Sequence, residues 1–134
     1  YDLVFFAMVL EHVSDVNEFL SEIFQILKPG GIIVGVCHNE GHFLSKLLKN
    51  KHPIINDEHN YVFDKKTLEK IFLKNQFKDI IINNLRNYYS CEYWLKMAPL
   101  PKIINKPLNL ISKLFWKDRN IGLKAGNIFL VGKK

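Results

Sequence analysis

The chain opens on an unbroken apolar run, Leu3-Val4-Phe5-Phe6-Ala7-Met8-Val9-Leu10, that gives way to polar chemistry at Glu11-His12. So short a run, rich in Val and Phe and free of turn residues, predicts a strand buried on both faces. A helical pattern follows: Val16, Phe19, Leu20, Ile23, Ile26 and Leu27 recur at three- and four-residue spacing, leaving Glu18, Glu22 and Gln25 outward. Asp15-Val16-Asn17-Glu18 has the form of an acidic capping box, with Ser14 as a second candidate N-cap. Lys28 suits the negative end of the helix dipole, and Pro29-Gly30-Gly31 stops the helix with glycines that permit a positive-φ turn. A second buried strand is predicted at Ile32-Ile33-Val34-Gly35-Val36-Cys37. Strand, helix and strand joined this closely predict a right-handed βαβ unit with parallel strands. Ligands in open α/β sheets sit beyond the carboxyl ends of the strands, which directs attention to Ala7–His12 and to the residues after Cys37.

Composition adds bounds. With 134 residues, 48% of them hydrophobic and 24% charged, the chain amounts to one soluble domain or part of one. Tyr1 lies within the expected first strand with no lead-in, which reads as a fragment whose preceding part is missing. Cys37 and Cys91 make no disulfide framework. No signal peptide is visible, and no apolar run nears the ~18 residues that span a bilayer, so a cytoplasmic location is expected.

The net charge of +6 conceals an asymmetry: residues 1–63 carry 4 basic and 8 acidic groups, residues 64–134 carry 15 and 5. Such a split marks either a solvated lysine-rich exterior or a surface that meets an anionic partner.

Asp2-Leu3-Val4, Leu10-Glu11-His12-Val13 and Leu27-Lys28-Pro29-Gly30-Gly31, in this order and spacing, resemble the second half of a class I S-adenosylmethionine-dependent methyltransferase. The likeness is greatest to the small-molecule group that includes ubiquinone-biosynthesis and sugar or polyketide O-methyltransferases. It continues through His59-Asn60-Tyr61-Val62-Phe63-Asp64, Thr67-Leu68 and Phe77. It implies a helix capped by Asp64 with Leu68, Ile71 and Phe72 as its buried stripe. Where the family has Gly before Phe77 the chain has Gln76, which puts Asn75 forward for the left-handed position. Ile80-Ile81-Ile82 reads as a strand, and Asn127-Ile128-Phe129-Leu130-Val131 as the last one, antiparallel and hairpinned to it in the family.

Asn83 to Lys124 is far longer than a hairpin loop. Tyr88, Tyr89, Tyr93 and Trp94 suggest one helical piece; Leu108, Ile111, Leu114 and Phe115, beside Trp116, suggest another, with Pro99, Pro101 and Pro107 between. The fold expected is therefore α/β, a Rossmann-like partial sheet of about four strands with the last antiparallel. Helices are expected on both faces, and a helical cap insert at about residues 86–122.

By the resemblance the parent enzyme transfers a methyl group from S-adenosylmethionine to a small molecule, on oxygen by the nearest likeness. The family's glycine-rich turn and acidic strand end have no counterpart here, since no G-x-G occurs. What the resemblance leaves of the cofactor site is Ala7, Met8 and Val9, with His12 beneath the methionine part. A plain helix-start contact is the alternative for His12, and a metal-ligand role for Glu11 and His12 is a weaker one. His38, Asn39 and His42 follow the second strand, where substrate is expected, and His38 or His42 is the candidate general base. Zinc on Cys37, His38 and His42 is disfavoured because Cys37 belongs to the strand and no matching pair exists. His59 and Phe63 are candidates for the substrate side, against simple packing.

Two other readings stand beside the enzyme. One is an inert or partner-dependent chain whose Leu3, Val4 and Phe5 lie on an unpaired sheet edge, awaiting the missing N-terminal half of the domain. The other is a peripheral module whose basic, apolar insert, with Lys96, Lys102 and Ile111 to Lys117, covers a greasy substrate or lies on an anionic membrane. Nucleic acid is not expected, because the aromatics fall at helical spacing and no reader motif is present.

Overall fold

The computed structural model describes residues 1–39, 59–98, 105, 107, 108, 110–112, 119–124 and 126–134. The contacts divide the chain into two units, Tyr1–Leu85 with Ala125–Lys134, and Arg86–Lys124.

The larger unit is a four-stranded sheet in the order β1-β2-β6-β3, formed by β1 (Leu3–Ala7), β2 (Ile32–His38), β3 (Lys78–Asn84) and β6 (Asn127–Lys133). β1 and β2 are parallel, with Leu3 opposite Ile32 and Ala7 opposite Val36. β6 runs antiparallel to both β2 and β3. The first crossover is α1 (Val16–Ile26), capped by the Asp15 carboxylate, which accepts from the amides of Asn17 and Glu18. The second helix, α2 (Lys65–Lys74), is capped by Asp64 accepting from Thr67 N. Val16, Leu20 and Ile23 of α1 and Leu68 and Phe72 of α2 share one core with Phe6, Ile33, Cys37, Ile128 and Leu130 of the sheet.

Gly35 lets Phe6 of β1 lie across β2: a Cβ there would come within 2.3 Å of the Phe6 ring. Gly30 takes the positive φ of +80° that ends the α1–β2 turn.

Several expectations are corrected. β1 is covered on one face: Phe6 is buried, whereas Leu3 and Phe5 on the alternate face are 56% and 62% exposed. An apolar run does not reveal whether a second layer covers it. Among the described residues both sheet-packed helices belong to one core, rather than to opposite faces. The contact from Asn75 Nδ2 to Asn17 Oδ1, 3.2 Å, places the two helices side by side. That bond and a second to Ile71 O hold Asn75 in a right-handed conformation, and Gln76 takes the left-handed position at φ 68°.

Ile26 is half exposed, beyond the edge of the buried stripe. Lys28 reaches Asp2 at 2.9 Å instead of the helix end. The ammonium of Lys134 supplies the cation there, donating to Phe24 O and to Leu27 O, the latter at 2.7 Å.

The smaller unit contains β4 (Asn87–Ser90), β5 (Asn120–Leu123) and α3 (Cys91–Met97). β4 and β5 form an antiparallel pair. Tyr88 and Tyr89, read as helical from their spacing with Tyr93 and Trp94, are therefore strand residues, and α3 begins only at Cys91 behind an N-cap at Ser90. Leu108 and Ile111 are exposed; Pro99, Pro101, Leu114, Phe115 and Trp116 lie outside the described residues.

Candidate functional site

The carboxyl ends of β1 and β2 form the candidate site. At the end of β1 the chain turns sharply. Met8 adopts φ 53°, its amide donates to Val36 O at 2.8 Å, and His12 N donates to Val9 O at 2.9 Å. A left-handed conformation at a residue with a Cβ costs roughly 1–2 kcal/mol, so the turn is held by its surroundings. It leaves Ala7 and Val9 exposed beside the exposed His12.

Glu11 anchors this corner. It is only 1% exposed, and its Oε1 accepts from the His38 amide at 3.0 Å, joining the tips of the two strands. Its Oε2 is buried with no hydrogen-bond partner among the described residues. The backbone carbonyl of Glu11 accepts from Asn60 N and Tyr61 N, at 2.8 and 3.3 Å. Asn60 Nδ2 donates to His12 O and Val13 O, and Tyr61 OH donates to Ser14 O at 2.7 Å. Residues 59–61 are thus clipped over the 11–14 loop, which carries His59 to the strand tips.

The result is a run of three imidazoles: His59 lies 4.9 Å from His12 and 5.1 Å from His38, centroid to centroid. His38 is fixed from its other side, Nδ1 lying 3.0 Å from Asn127 Oδ1 across the β2–β6 ladder. Asn39 is buried, its amide bonded to Gly126 O and its Nδ2 3.3 Å from Asn84 Oδ1.

Of the residues singled out from the sequence, Ala7, Met8, Val9, His12, His38, Asn39 and His59 gather at this corner. Phe63 does not present itself to a ligand; it is buried in the core and its backbone bridges Asn39. His42 lies outside the described residues. Among the described residues no three His, Cys, Asp or Glu groups converge in a way that could hold a metal. Burial, and secondarily the nearby Glu11, push the Cys37 thiol up to about 12, which keeps it protonated and a poor ligand or nucleophile at neutral pH.

Sequence reasoning missed Asn127 and the anchoring role of Glu11. A polar residue heading the apolar strand Asn-Ile-Phe-Leu-Val was visible, but its partner emerges only with the register of β6 against β2.

The strained Met8 turn exposes the strand tip between Ala7 and Val9, while the buried Glu11 keeps that tip fixed against β2.

Comparison with known proteins agrees in fold. A family model described as "Methyltransferase domain" matches residues 1–81. A SAM-dependent methyltransferase from Archaeoglobus fulgidus is similar over 99% of this chain and 59% of its own, with 20% identity and a TM-score of 0.59. One from Thermotoga maritima, titled a possible histamine N-methyltransferase, is similar over 99% and 56%, with 15% identity and a TM-score of 0.62. Phosphoethanolamine N-methyltransferase 2 of Haemonchus contortus is matched over the whole of this chain and 33% of its own, at 20% identity and a TM-score of 0.56. The chain thus spans less than two thirds of the length of these structures. No curated protein matches it.

Proposed function

The chain belongs to the methyltransferase-domain family, and we propose that it forms the substrate side of an S-adenosylmethionine-dependent enzyme that methylates a hydroxyl group of a small molecule. In this reading an amino-terminal half with the glycine-rich turn completes the cofactor site. Ala7, Met8 and Val9 line the near wall and His12 lies beneath the methionine part.

When bound, the cofactor supplies an electrophilic methyl carbon on a positively charged sulfur. A hydroxyl acceptor must lose a proton as it attacks, so a base within hydrogen-bond reach accelerates the step. The observation that supports oxygen as acceptor is the contact between His38 Nδ1 and Asn127 Oδ1. With Nδ1–H donating to the amide oxygen, the lone pair of Nε2 is left to take the substrate proton. Glu11 holds the His38 backbone, and the His59 ring packs against its imidazole, which limits where that nitrogen can point.

The test is transfer of labelled methyl from S-adenosylmethionine to matched hydroxyl and amine acceptors, using the chain extended by the residues its gene encodes upstream of Tyr1. Label on the hydroxyl compounds, lost in His38→Gln, supports the reading; label on amines alone overturns it.

A second reading, a non-catalytic chain that works by pairing its β1 edge with another polypeptide, is favoured by the position of β1 at the end of the sheet, with Leu3 and Phe5 exposed on its uncovered face. Phe5→Lys tests it, since it should abolish association on a sizing column while leaving the fold intact.

A further inference from the structure

The unit Arg86–Lys124 carries the whole net charge of the protein: it holds 8 basic and 2 acidic residues, against 11 of each in the rest of the chain. Within it, β4 and β5 pair Asn87 with Leu123 and Tyr88 with Gly122. Arg86 and Lys124 are the chain neighbours of the last pair, Asn87 and Leu123, and both are exposed. Neither meets an acidic side chain among the described residues. The Arg86 stem and the Tyr88 ring lie over Gly122, where a Cβ would come within 2.9 Å of the one and 2.5 Å of the other. Two cations with no acidic partner among the described residues thus stand at the end of a ladder that carries the Tyr88 ring, 62% exposed.

We propose that this unit docks the protein on an anionic lipid surface, with Arg86 and Lys124 meeting headgroup phosphates and Tyr88 seated at the headgroup level. Tyrosine is suited to that depth, with an apolar ring and a polar tip. Arg119 and the exposed Leu110, Ile111 and Leu123 add charge and apolar surface to the same unit. Attachment is peripheral: among the described residues no helix is long and apolar enough to cross a membrane. A nucleic acid is the other polyanion to weigh. Rings that bind single strands must offer free faces to the bases, but Tyr89, Tyr93 and Trp94 pack on one another at 4.3–6.2 Å. Trp94 Nε1 is also engaged with Ile121 O at 2.8 Å.

The experiment is sedimentation of the full chain with vesicles of phosphatidylcholine alone or of phosphatidylcholine and phosphatidylglycerol in equal parts, at low and high salt. Binding to the anionic vesicles alone, lost at high salt, is expected. At about fivefold per cation removed, Arg86→Gln with Lys124→Gln should weaken it about 25-fold. Tyr88→Ser should weaken it without changing the salt dependence, and circular dichroism should show both variants folded. Absence of binding to anionic vesicles at low salt would overturn the proposal, as would equal binding to neutral ones. So would release by a single-stranded oligonucleotide at equal phosphate concentration, or unchanged binding in either folded variant.

Discussion

His38 on β2 and Asn127 at the start of β6 are register partners, and their side chains meet at 3.0 Å between Nδ1 and Oδ1. The pairing fixes one ring nitrogen and leaves the other directed away from the ladder. If His38 takes the substrate proton, His38→Gln should lower kcat by about 10²–10⁴-fold. Asn127→Ala should lower kcat by about tenfold with little change in KM, because the imidazole loses its orientation rather than its basicity. Asn127→Asp should restore much of the rate and move the acidic limb of the kcat–pH profile upward, since a carboxylate favours the imidazolium. An unchanged profile in Asn127→Asp would remove the pair from the mechanism.

Gly35 and Phe6 make a second coupled pair. A Cβ at Gly35 would lie 2.3 Å from the Phe6 ring, so Gly35→Ala must displace that ring from the core. Overpacking of this kind should cost about 1–3 kcal/mol in urea unfolding. Phe6→Leu in the same chain should recover part of the loss, giving a non-additive double-mutant cycle. Additive effects would show that the ring does not block the position.

Gln76 holds φ at 68° at the end of α2. Gly has no Cβ penalty there, so Gln76→Gly should raise the unfolding free energy by about 1 kcal/mol, after the entropy of the unfolded chain is set against the relief, and with it the urea midpoint. Asn75→Ala should act oppositely, since it removes the bonds to Ile71 O and Asn17 Oδ1.

The two helix caps predict an acid dependence. Backbone hydrogen bonds lower the Asp15 carboxyl below its ordinary 3.8, chiefly that from Glu18 and then that from Asn17; Asp64 is lowered chiefly by the one from Thr67. Depressed folded values mean the caps contribute fully above pH 3.8 and lose their contribution as pH falls through the lowered values. Both carboxyls face solvent, so the effect is small. Asp15→Asn with Asp64→Asn keeps a capping oxygen without titrating, and should flatten the fall in Tm below that pH. An equally steep fall would place the acid sensitivity elsewhere.

The β1–α1–β2 unit was legible because its signals are local: the Asp15 cap, the Val16–Leu20–Ile23 stripe and the glycine turn each act within a few residues. The identity of the residues at the strand tips was legible for the same reason, since a βαβ unit fixes where its carboxyl ends lie. What depends on distant chain was not. The exposure of Leu3 and Phe5 is decided by whether another layer covers β1, and Asn127 meets His38 only through pairing across 89 positions. Tyr88 and Tyr89 read as helical from the sequence because four aromatics at helical spacing conceal a strand that passes directly into a helix at Cys91.

The measurement that bears most directly on the whole account is calorimetric titration of S-adenosylmethionine into two folded proteins, this chain and the chain extended by its upstream residues. Weak or no binding by the chain itself and saturable micromolar binding by the extended protein is the predicted result, because in the proposed reading Ala7, Met8 and Val9 form only one wall of the cofactor site and a glycine-rich turn upstream forms another. An extended protein that is folded yet binds no S-adenosylmethionine would contradict it.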